Sequence, residues 1–303
     1  MKIALILPER CINSFILISR RQKDIIAGMK RDSNFILEGK MHRLIRVAFW
    51  AGLMFLLMGP LYAQQKEVAR SVFDIPPRNL INAPTAGTLP RGCFDVVLRV
   101  YPNGGIMGST SIGLSNRFMV GLSYGAEGII AESEPNWNPR IEFNIKLRLI
   151  DEGFYMPALS LGFCSQGYGS YSTKWKRYTY KSKGFYGVIS RSFAFYNSSV
   201  GGHFGINYSM EHEIDKDNSP SFFFGFDTQF NYNVAFLFEY DAALNDDGSN
   251  ELSGKGRGYL NMGIKWLFSE NLELEAVFEN LLNNRRGVNS FGRGLRFTYI
   301  EFF

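Results

Sequence analysis

The chain has 303 residues, a length that permits one or two soluble domains or a single barrel behind an export segment. Aromatic residues make up 15% of it, with 27 Phe and 15 Tyr, beside 31 Gly and only 3 His and 3 Cys. Strands favour aromatic residues and use glycine where backbones bend or crowd, so this composition predicts a β protein. The net charge of +5 is inflated by the first 46 residues, and no basic stripe with interleaved aromatics follows, which argues against a nucleic-acid partner.

The three cysteines, Cys11, Cys93 and Cys164, show neither CxxC nor metal-ligand spacing. Scattered cysteines of this kind predict isolated thiols. Two acidic stretches, residues 215–218 and 245–250, carry oxygen ligands suited to Ca²⁺, but neither continues into an EF-hand register, so both are interpreted as solvated loops. We predict no metal site and no cofactor.

The N-terminal part resembles an export signal. Residues 41–46 are basic, residues 47–58 are an uninterrupted apolar run of signal-peptide length, and Gly59-Pro60 then breaks the helix. The run is short for a membrane-spanning helix. We expect a signal peptide at 41–63 with cleavage after Ala63; an uncleaved anchor is the alternative. The forty residues before Met41 are interpreted as a mis-assigned N-terminal extension, 1–40.

Residues 64–91 are polar and punctuated by prolines, with no sustained period, and we interpret them as an extended periplasmic leader. Within this leader, residues 84–90 admit two arrangements. They form either a turn that seats the first strand or a segment tucked into a lumen, and the sequence leaves both open.

From residue 92 to 303 a two-residue hydrophobic period recurs almost continuously, which is typical of strands with one apolar face. The clearest case is 141–149, where five apolar positions alternate with Glu142, Asn144, Lys146 and Arg148. About twelve strands are predicted. The last one, 294–303, ends the chain on an aromatic residue and needs a neighbour at each edge, so a closed antiparallel barrel is expected in which it pairs with 92–101.

The predicted connections alternate in length. Tight links follow every second strand, at 115–116, 151–153, 196–199, 231–233 and 269–271, whereas the links after the third, fifth, seventh, ninth and eleventh strands are longer and polar. Short turns at one rim and long loops at the other are typical of a transmembrane up-and-down barrel. The fold class predicted is therefore an all-β transmembrane barrel of about twelve strands behind a signal peptide.

The polar faces of these strands carry charged residues. An Arg or Lys on the lipid face at mid-membrane costs about 2–4 kcal/mol, so the charged rows are expected to line the lumen. The lumen-lining candidates are Arg99, Glu142, Lys146, Arg148, Asp227, Glu239, Asp241, Arg257, Lys265, Glu273, Glu275 and Glu279. Opposed acidic and basic rows either create a transverse field in an open pore or pair into a network that fills a closed one, and both remain open at this point.

An exported chain of amphipathic hairpins with a terminal Phe resembles bacterial outer-membrane β-barrels. The end of the chain, with Leu295, Phe297, Tyr299 and Phe303, looks like the barrel-assembly signal of that class, although Glu301 departs from it at the third position from the end. Either the membrane boundary falls just before Glu301 or the final residues bulge. The resemblance implies an outer-membrane location, with membrane lipid and the barrel-assembly machinery as partners.

A narrower resemblance rests on three stretches: residues 83–92, the turn at 102–105, and residues 111–124 with the sequence Ser-Ile-Gly-Leu-Ser-Asn-Arg-Phe-Met-Val-Gly-Leu-Ser-Tyr. They are similar to the opening of the YjbH-like barrel family, which is linked with exopolysaccharide production. The resemblance implies a role in the secretion or modification of surface polysaccharide, with polysaccharide export components as partners.

The histidines do not belong to a recognisable catalytic motif. His203 is followed by Phe204-Gly205 and His212 by Glu213-Ile214, and no Ser-His-acid arrangement is visible, so His203 is interpreted as a lumen or rim residue and no enzyme activity is expected. The leading hypothesis is a passive transport or envelope-structural barrel, with an accessory role in exopolysaccharide export implied by the narrower resemblance. The alternatives are an outer-membrane barrel enzyme and a soluble secreted β-barrel or sandwich that acts as a binding module.

Overall fold

The computed structural model describes residues 75–131, 134–195, 198–230, 233–288 and 290–303. The predicted N-terminal extension, the signal peptide and the first part of the leader lie outside these residues. The strands are β1 (Cys93–Tyr101), β2 (Gly105–Ser115), β3 (Phe118–Glu127), β4 (Asn136–Trp137), β5 (Glu142–Ile150), β6 (Ala158–Cys164), β7 (Tyr168–Ser172), β8 (Arg177–Tyr180), β9 (Gly184–Phe195), β10 (Ser198–Tyr208), β11 (Ser221–Gln229), β12 (Val234–Asp241), β13 (Tyr259–Leu267), β14 (Leu272–Glu279) and β15 (Gly292–Phe302). None of the described residues belongs to a helix with the length and hydropathy of a membrane span.

Twelve of these strands close into an antiparallel barrel, as predicted. Each pairs with its neighbour in the order β1, β2, β3, β5, β6, β9 to β15, and β15 returns to pair with β1. The short β4 adds to one end of β3, and β7 and β8 form a separate hairpin in the link between β6 and β9. Closure leaves none of the twelve barrel strands with a free edge, which is the requirement for a sheet in a lipid environment.

The closing pair is the expected one. Its register runs from Cys93 opposite Phe302 to Val100 opposite Leu295 without a shift. The final residues therefore do not bulge. The carboxylate of Glu301 instead accepts hydrogen bonds from the Tyr299 hydroxyl at 2.6 Å and the Asn271 side chain at 2.5 Å, in the turn before β14. Glu301 thus lies at the rim of the barrel.

The connections follow the predicted parity. Tight turns join β2 to β3, β9 to β10, β11 to β12 and β13 to β14. The β5–β6 link on the same rim is longer than the expected 151–153 and spans residues 151–157. The other rim carries the longer links, apart from a three-residue turn between β1 and β2. In that turn Asn103 and Gly104 have φ angles of 60° and 68°, the left-handed conformation that tight hairpins require.

The two faces of the barrel wall differ in chemistry. On β5, Phe143 and Ile145 are 52% and 42% exposed on the outer face, whereas Glu142 and Lys146 are 0% and 1% exposed. Other large apolar side chains exposed on the strands include Val96, Leu98, Leu122, Leu147, Leu161, Phe185, Ile206, Ile264 and Leu295. Exposed aromatic side chains at the tight-turn rim are Phe154, Tyr155, Phe230, Phe268 and Phe303. An apolar band with an aromatic girdle is the surface that a bilayer requires.

The buried core lies inside the barrel and not between two sheets. Three apolar clusters form it, and each joins residues of the segment before β1 to inward-facing residues of the strands. Ala83 and Ala86 pack with Tyr186, Val188 and Phe223 in the first cluster. The described part of the expected leader, residues 75–91, therefore lies within the barrel instead of extending away from it; we call it the plug segment.

Candidate functional site

The plug segment crosses the lumen and turns back on itself. Its tip is closed by the bridge between Asn79 and Pro84 and by a hydrogen bond from the Leu80 nitrogen to the Ala83 oxygen at 2.9 Å. Leu80 and Ile81 then pack with Leu237 of β12 and Val277 of β14. Four prolines in the segment lack an N–H, so fewer backbone donors must find partners when it is buried. The proline punctuation thus suits a chain that is enclosed without joining a sheet.

One carboxylate holds the tip of the plug segment. Glu239 of β12 is fully buried, and its Oε2 accepts hydrogen bonds from the backbone nitrogens of Ile81, Asn82 and Ala83 at 2.9, 2.8 and 2.8 Å. Its other oxygen accepts one from the Asn261 side chain at 2.7 Å. Hydrogen bonds to an ionised acceptor are roughly twice as strong as neutral ones. Glu239 therefore accepts three backbone N–H groups that would pair with the carbonyl groups of a neighbouring strand if the segment joined a sheet.

Two cationic side chains donate hydrogen bonds to carbonyl groups of the plug segment. Arg296 of β15 donates to the oxygens of Ile81 and Leu80 at 3.0 and 2.6 Å. Lys146 of β5 donates to the oxygens of Arg78 and Gly87 at 2.6 and 3.1 Å. One anion of the wall, Glu239, thus binds N–H groups of the plug segment, and two cations bind its carbonyl groups.

The remaining lumen charges form ion pairs. Arg78 of the plug segment lies 2.9 Å from Asp95 of β1, and Arg99 lies 2.7 Å from Glu279 across the β1–β15–β14 wall. Further pairs join Lys265 to Glu273 and Glu275, Arg296 to Glu275, and Lys183 to Asp241. The lumen is consequently occupied by a paired network around the plug segment and not by two facing walls of unpaired charge.

The lumen-lining candidates occupy three kinds of position. Arg99, Glu142, Lys146, Glu239, Glu275 and Glu279 are buried; Arg148, Asp227, Asp241, Lys265 and Glu273 are partly exposed. Arg148 lies at the tight-turn rim, 2.9 Å from Asp151. Arg257 differs from the expectation, because it precedes β13 and its side chain is exposed in the long β12–β13 loop.

The sequence pattern misses one arrangement. Ser190 of β9, His203 of β10 and Asp227 of β11 form a hydrogen-bonded row, with His203 Nδ1 2.7 Å from Ser190 Oγ and Nε2 2.8 Å from Asp227 Oδ1. The three residues lie on adjacent strands, so spacing along the chain cannot reveal them. Ser190 Oγ also accepts the N–H of Ala86 at 2.8 Å. The row therefore holds the plug segment, in line with a lumen position for His203.

A hairpin covers the end of the lumen at the long-loop rim. This mouth hairpin, residues 168–180, comprises β7 and β8; its Tyr168 ring lies 4.3 Å from the Arg99 guanidinium, and its Tyr178 hydroxyl donates to Glu142 at 3.1 Å. Arg177 is fully buried and pairs with Asp215 at 3.1 Å and Asp246 at 2.8 Å, in the two neighbouring loops. The hairpin thus links the wall to the loops at the long-loop rim.

Glu211, in the β10–β11 loop, fastens the mouth hairpin. Its Oε2 accepts the backbone N–H of Tyr178 at 3.1 Å and that of Ser182 at 3.4 Å. Burial raises the pKa of Glu211 from 4.5 to about 7, because the carboxylate loses water; the two N–H donors and Arg177 oppose this shift. The hold on the hairpin therefore depends on the protonation of a group that titrates near neutral pH.

A cavity of about 110 Å³ remains between the plug segment and the wall. Side chains of several strands line it, among them the small residues Ser109, Ser111, Gly121 and Ser123 of β2 and β3. The free thiol of Cys164 also borders it. Such a volume holds several water molecules. The plug segment thus leaves part of the lumen unfilled.

The residues of the expected assembly signal face outward at the closing strand. Leu295 and Tyr299 are 44% and 42% exposed, and Phe303 is 80% exposed, with its ring 6.3 Å from that of Phe94. Phe297 is partly exposed. The backbone nitrogen of Phe303 donates to Gly92 at 2.8 Å, so the terminal residue is tied to the start of β1.

A scan against protein-family models finds no match, and a search of the curated proteins finds none either. Solved structures with a similar arrangement include the KdgM porin (8% identity, 70% of this chain and 99% of that chain, TM-score 0.41) and the NanC porin (10% identity, 69% and 99%, TM-score 0.40). Omp33 of Acinetobacter baumannii is another (8% identity, 68% and 96%, TM-score 0.39). At these identities and TM-scores the likeness carries no argument, and the conclusion rests on the closed barrel and its apolar outer face. The chain is a transmembrane β-barrel protein of the bacterial outer membrane.

Proposed function

We propose that this barrel is a passive transport protein whose resting state is closed by its own plug segment. The observation that carries the proposal is how that segment is held: Glu239, Arg296 and Lys146 bind its backbone by side-chain hydrogen bonds, and in the described part of the chain no strand pairs with it. Its departure would expose the three apolar clusters that it forms with the wall, but it would break none of the hydrogen bonds between the barrel strands. The barrel closure involves other hydrogen bonds altogether.

The chemistry of the lumen supports transport over a purely structural role. Buried ion pairs are commonly neutral or unfavourable for stability when compared with apolar residues of the same volume. A barrel that served only to strengthen the envelope would gain from an apolar interior. Paired charges such as Arg99 with Glu279 provide, in contrast, a hydrophilic lining once the plug segment is displaced.

Conductance in planar lipid bilayers tests the proposal. The full-length protein is expected to be mostly silent, whereas a variant lacking residues 75–90 should give discrete conductance steps, because the lumen then fills with water. Heat-modifiable migration of both proteins on a gel verifies that the barrel is folded. If the deleted variant is folded and also silent, the transport proposal fails and an envelope-structural role replaces it.

The accessory role in exopolysaccharide export is a separate proposal, which rests on the resemblance of residues 83–92, 102–105 and 111–124 to the YjbH-like family. It predicts that deletion of the gene changes the amount or composition of surface polysaccharide. Complementation with the intact gene should restore the amount. Unchanged polysaccharide in the deletion strain would contradict this role and leave the transport proposal intact.

The proposal includes no catalysis. Ser190 could act as a nucleophile only if a substrate reached it, and its Oγ is occupied by the N–H of Ala86 and by His203. A fluorophosphonate probe is therefore expected to leave Ser190 unlabelled in the full-length protein. Stoichiometric labelling that Ser190→Ala abolishes would revive the barrel-enzyme alternative.

A further inference from the structure

Two neighbouring loop stretches at the long-loop rim carry only basic charges. Residues 252–258 contain two basic residues, residues 280–293 contain three, and neither stretch contains an Asp or Glu. In the described part of the chain, four of these side chains are exposed and form no ion pair; we call them the basic patch. The basic patch consists of Lys255, Arg257, Arg286 and Arg293.

A buried asparagine fixes the two stretches against each other. Asn284 Oδ1 accepts the backbone N–H groups of Lys255 and Arg257 at 2.9 and 2.8 Å, and the Asn284 backbone oxygen accepts that of Lys255 at 2.7 Å. The Arg286 side chain donates to two backbone oxygens of the β12–β13 loop at 3.1 and 3.0 Å. Neutral groups thus hold several positive charges near one another. Because like charges repel, the basic patch favours an anionic occupant.

Exposed cations of the mouth hairpin, at the same rim, are paired instead. Lys174 lies 2.7 Å from Glu251, and Lys176 lies 2.5 Å from Glu213. The absence of carboxylate partners is therefore a property of the basic patch and not of every cation at this rim.

Two arginines of the basic patch lie beside the long-loop end of β14, one on each side. Arg293 of β15 is opposite Phe278 of β14, and it belongs to the outward row of β15 with Leu295, which is 44% exposed. Arg257 lies on the β13 side, and its Nη1 donates to the oxygen of Leu282, just after β14, at 3.4 Å. Both arginines therefore lie where the apolar outer face ends.

Apolar side chains are exposed beside these charges. The Arg293 guanidinium lies 5.0 Å from the centre of the Phe291 ring, which is 39% exposed, and Leu282 is 37% exposed. In an outer-membrane barrel the long loops are extracellular, and the edge of the apolar band lies at the membrane–water interface. Lipid headgroups occupy that level, so a phosphorylated lipid presents an anion to the arginines and an apolar chain to the wall below them.

We propose that the basic patch binds the phosphate groups of anionic lipids in the outer leaflet of the membrane, with Arg257 and Arg293 as the main contacts. A guanidinium group can donate two parallel hydrogen bonds to one phosphate. Soluble anions share the phosphate chemistry, but they gain nothing from the exposed Phe291 and Leu282. The site lies outside the lumen and does not depend on the transport function.

Lipid binding by the full-length protein in a neutral detergent tests the proposal. The probe is lipid A with its two phosphates, and the reference is the same lipid after enzymatic removal of both. EDTA prevents bridging by divalent cations. Native mass spectrometry measures the bound fraction against the lipid concentration. The phosphorylated lipid should bind about tenfold or more tightly than the reference, because each cation near an anionic headgroup adds to the affinity.

Two double variants with the same change in net charge locate the site. Arg257→Gln with Arg293→Gln should weaken binding of the phosphorylated lipid about tenfold and leave the reference lipid unaffected. Lys174→Gln with Lys176→Gln removes two cations that already have carboxylate partners, and it should leave both affinities unchanged. Heat-modifiable migration on a gel verifies that both variants are folded.

Equal binding of the two lipids would overturn the inference. An equal loss in the two double variants would also overturn it, because it would indicate a general effect of charge. Inorganic phosphate and dextran sulfate, each matched in anion concentration to the lipid, should displace little of it. Displacement by phosphate would indicate a site for any small anion, and displacement by dextran sulfate a site for a soluble polyanion; either result overturns the assignment to lipid. None of these outcomes affects the conductance expected when residues 75–90 are deleted.

Discussion

A carboxylate oxygen of Glu239 lies 2.8 Å from the backbone nitrogen of Ala83, which precedes it by 156 residues in the chain. The same oxygen accepts the N–H groups of Ile81 and Asn82. A single side chain of the barrel wall thus determines where the tip of the plug segment lies. A substitution of Glu239 should therefore loosen the plug segment without altering the strands.

Glu239→Ala should release the plug segment. Each hydrogen bond to a charged group contributes about 1.5–3 kcal/mol, and three backbone donors lose their acceptor at once. Limited proteolysis of the folded protein in detergent should then cleave within residues 75–91, which the parent protein protects. Glu270→Ala, in an exposed turn, serves as the control and should leave the segment protected. Equal protection in both variants would contradict the role of Glu239.

Arg99→Met should destabilise the barrel by about 3–5 kcal/mol, because Glu279 then stays buried without its partner at 2.7 Å. Urea unfolding in detergent micelles measures this loss. The double variant Arg99→Met with Glu279→Gln should recover part of it, since no uncompensated charge remains. If the double variant loses as much stability as the two single variants lose in sum, Arg99 and Glu279 are not coupled.

The closure by the mouth hairpin should weaken as the pH rises. The folded-state pKa of Glu211 is raised from 4.5 to about 7, so the folded protein binds this proton more tightly than the unfolded chain does. The resulting stabilisation is complete below pH 4.5 and is lost as the pH rises through about 7. The shift of the Glu211 pKa from 4.5 to about 7 corresponds to about 3 kcal/mol of folding free energy.

Hydrogen exchange of the mouth hairpin at pH 5 and pH 8 measures this effect. Arg177, Tyr171 and Tyr178 of the hairpin are the charged or titratable groups that face Glu211, and the tyrosines stay neutral over this range. Exchange should be faster at pH 8 after correction for the intrinsic rate. Glu211→Gln should remove the difference, and an unchanged difference in that variant would assign it to another group.

Ile145→Lys should impair insertion into lipid vesicles by about 2–4 kcal/mol, because this side chain is on the outer face of β5 and 42% exposed. Ile145→Phe is the matched control and should insert as the parent protein does. Equal insertion of the two variants would mean that this part of β5 does not contact lipid.

Phe303→Ala should reduce the amount of protein that reaches the outer membrane in cells, because we expect the terminal aromatic residue to be recognised by the barrel-assembly machinery. Its effect on urea unfolding should be small, since the side chain is 80% exposed. Quantitative blotting of outer-membrane fractions checks the first point. If Phe303→Ala instead lowers the free energy of unfolding enough to explain the smaller amount in the outer membrane, the residue has a structural role.

The alternation of apolar and polar residues along the chain was sufficient to predict the barrel, because the side-chain period of a strand is a local property. The pairing of the last strand with the first, Cys93 opposite Phe302, followed from the need of each edge for a partner. The charged rows were assigned to the lumen because placing them against lipid would cost free energy. Arg257 was misplaced because it continues the period into a loop where no strand neighbour holds it.

The sequence left a lumen position of residues 84–90 as one of two arrangements and could not choose between them, because the segment has no period and its partners are distant in sequence: Arg296 binds the carbonyl of Ile81 across 215 residues. Only the register of adjacent strands brings Ser190, His203 and Asp227 together. The sequence by itself thus determined the wall of this protein, through short-range patterning and the physics of the bilayer. The tertiary structure alone decided what fills the lumen, because long-range contacts between side chains and an irregular backbone leave no periodic trace in the chain.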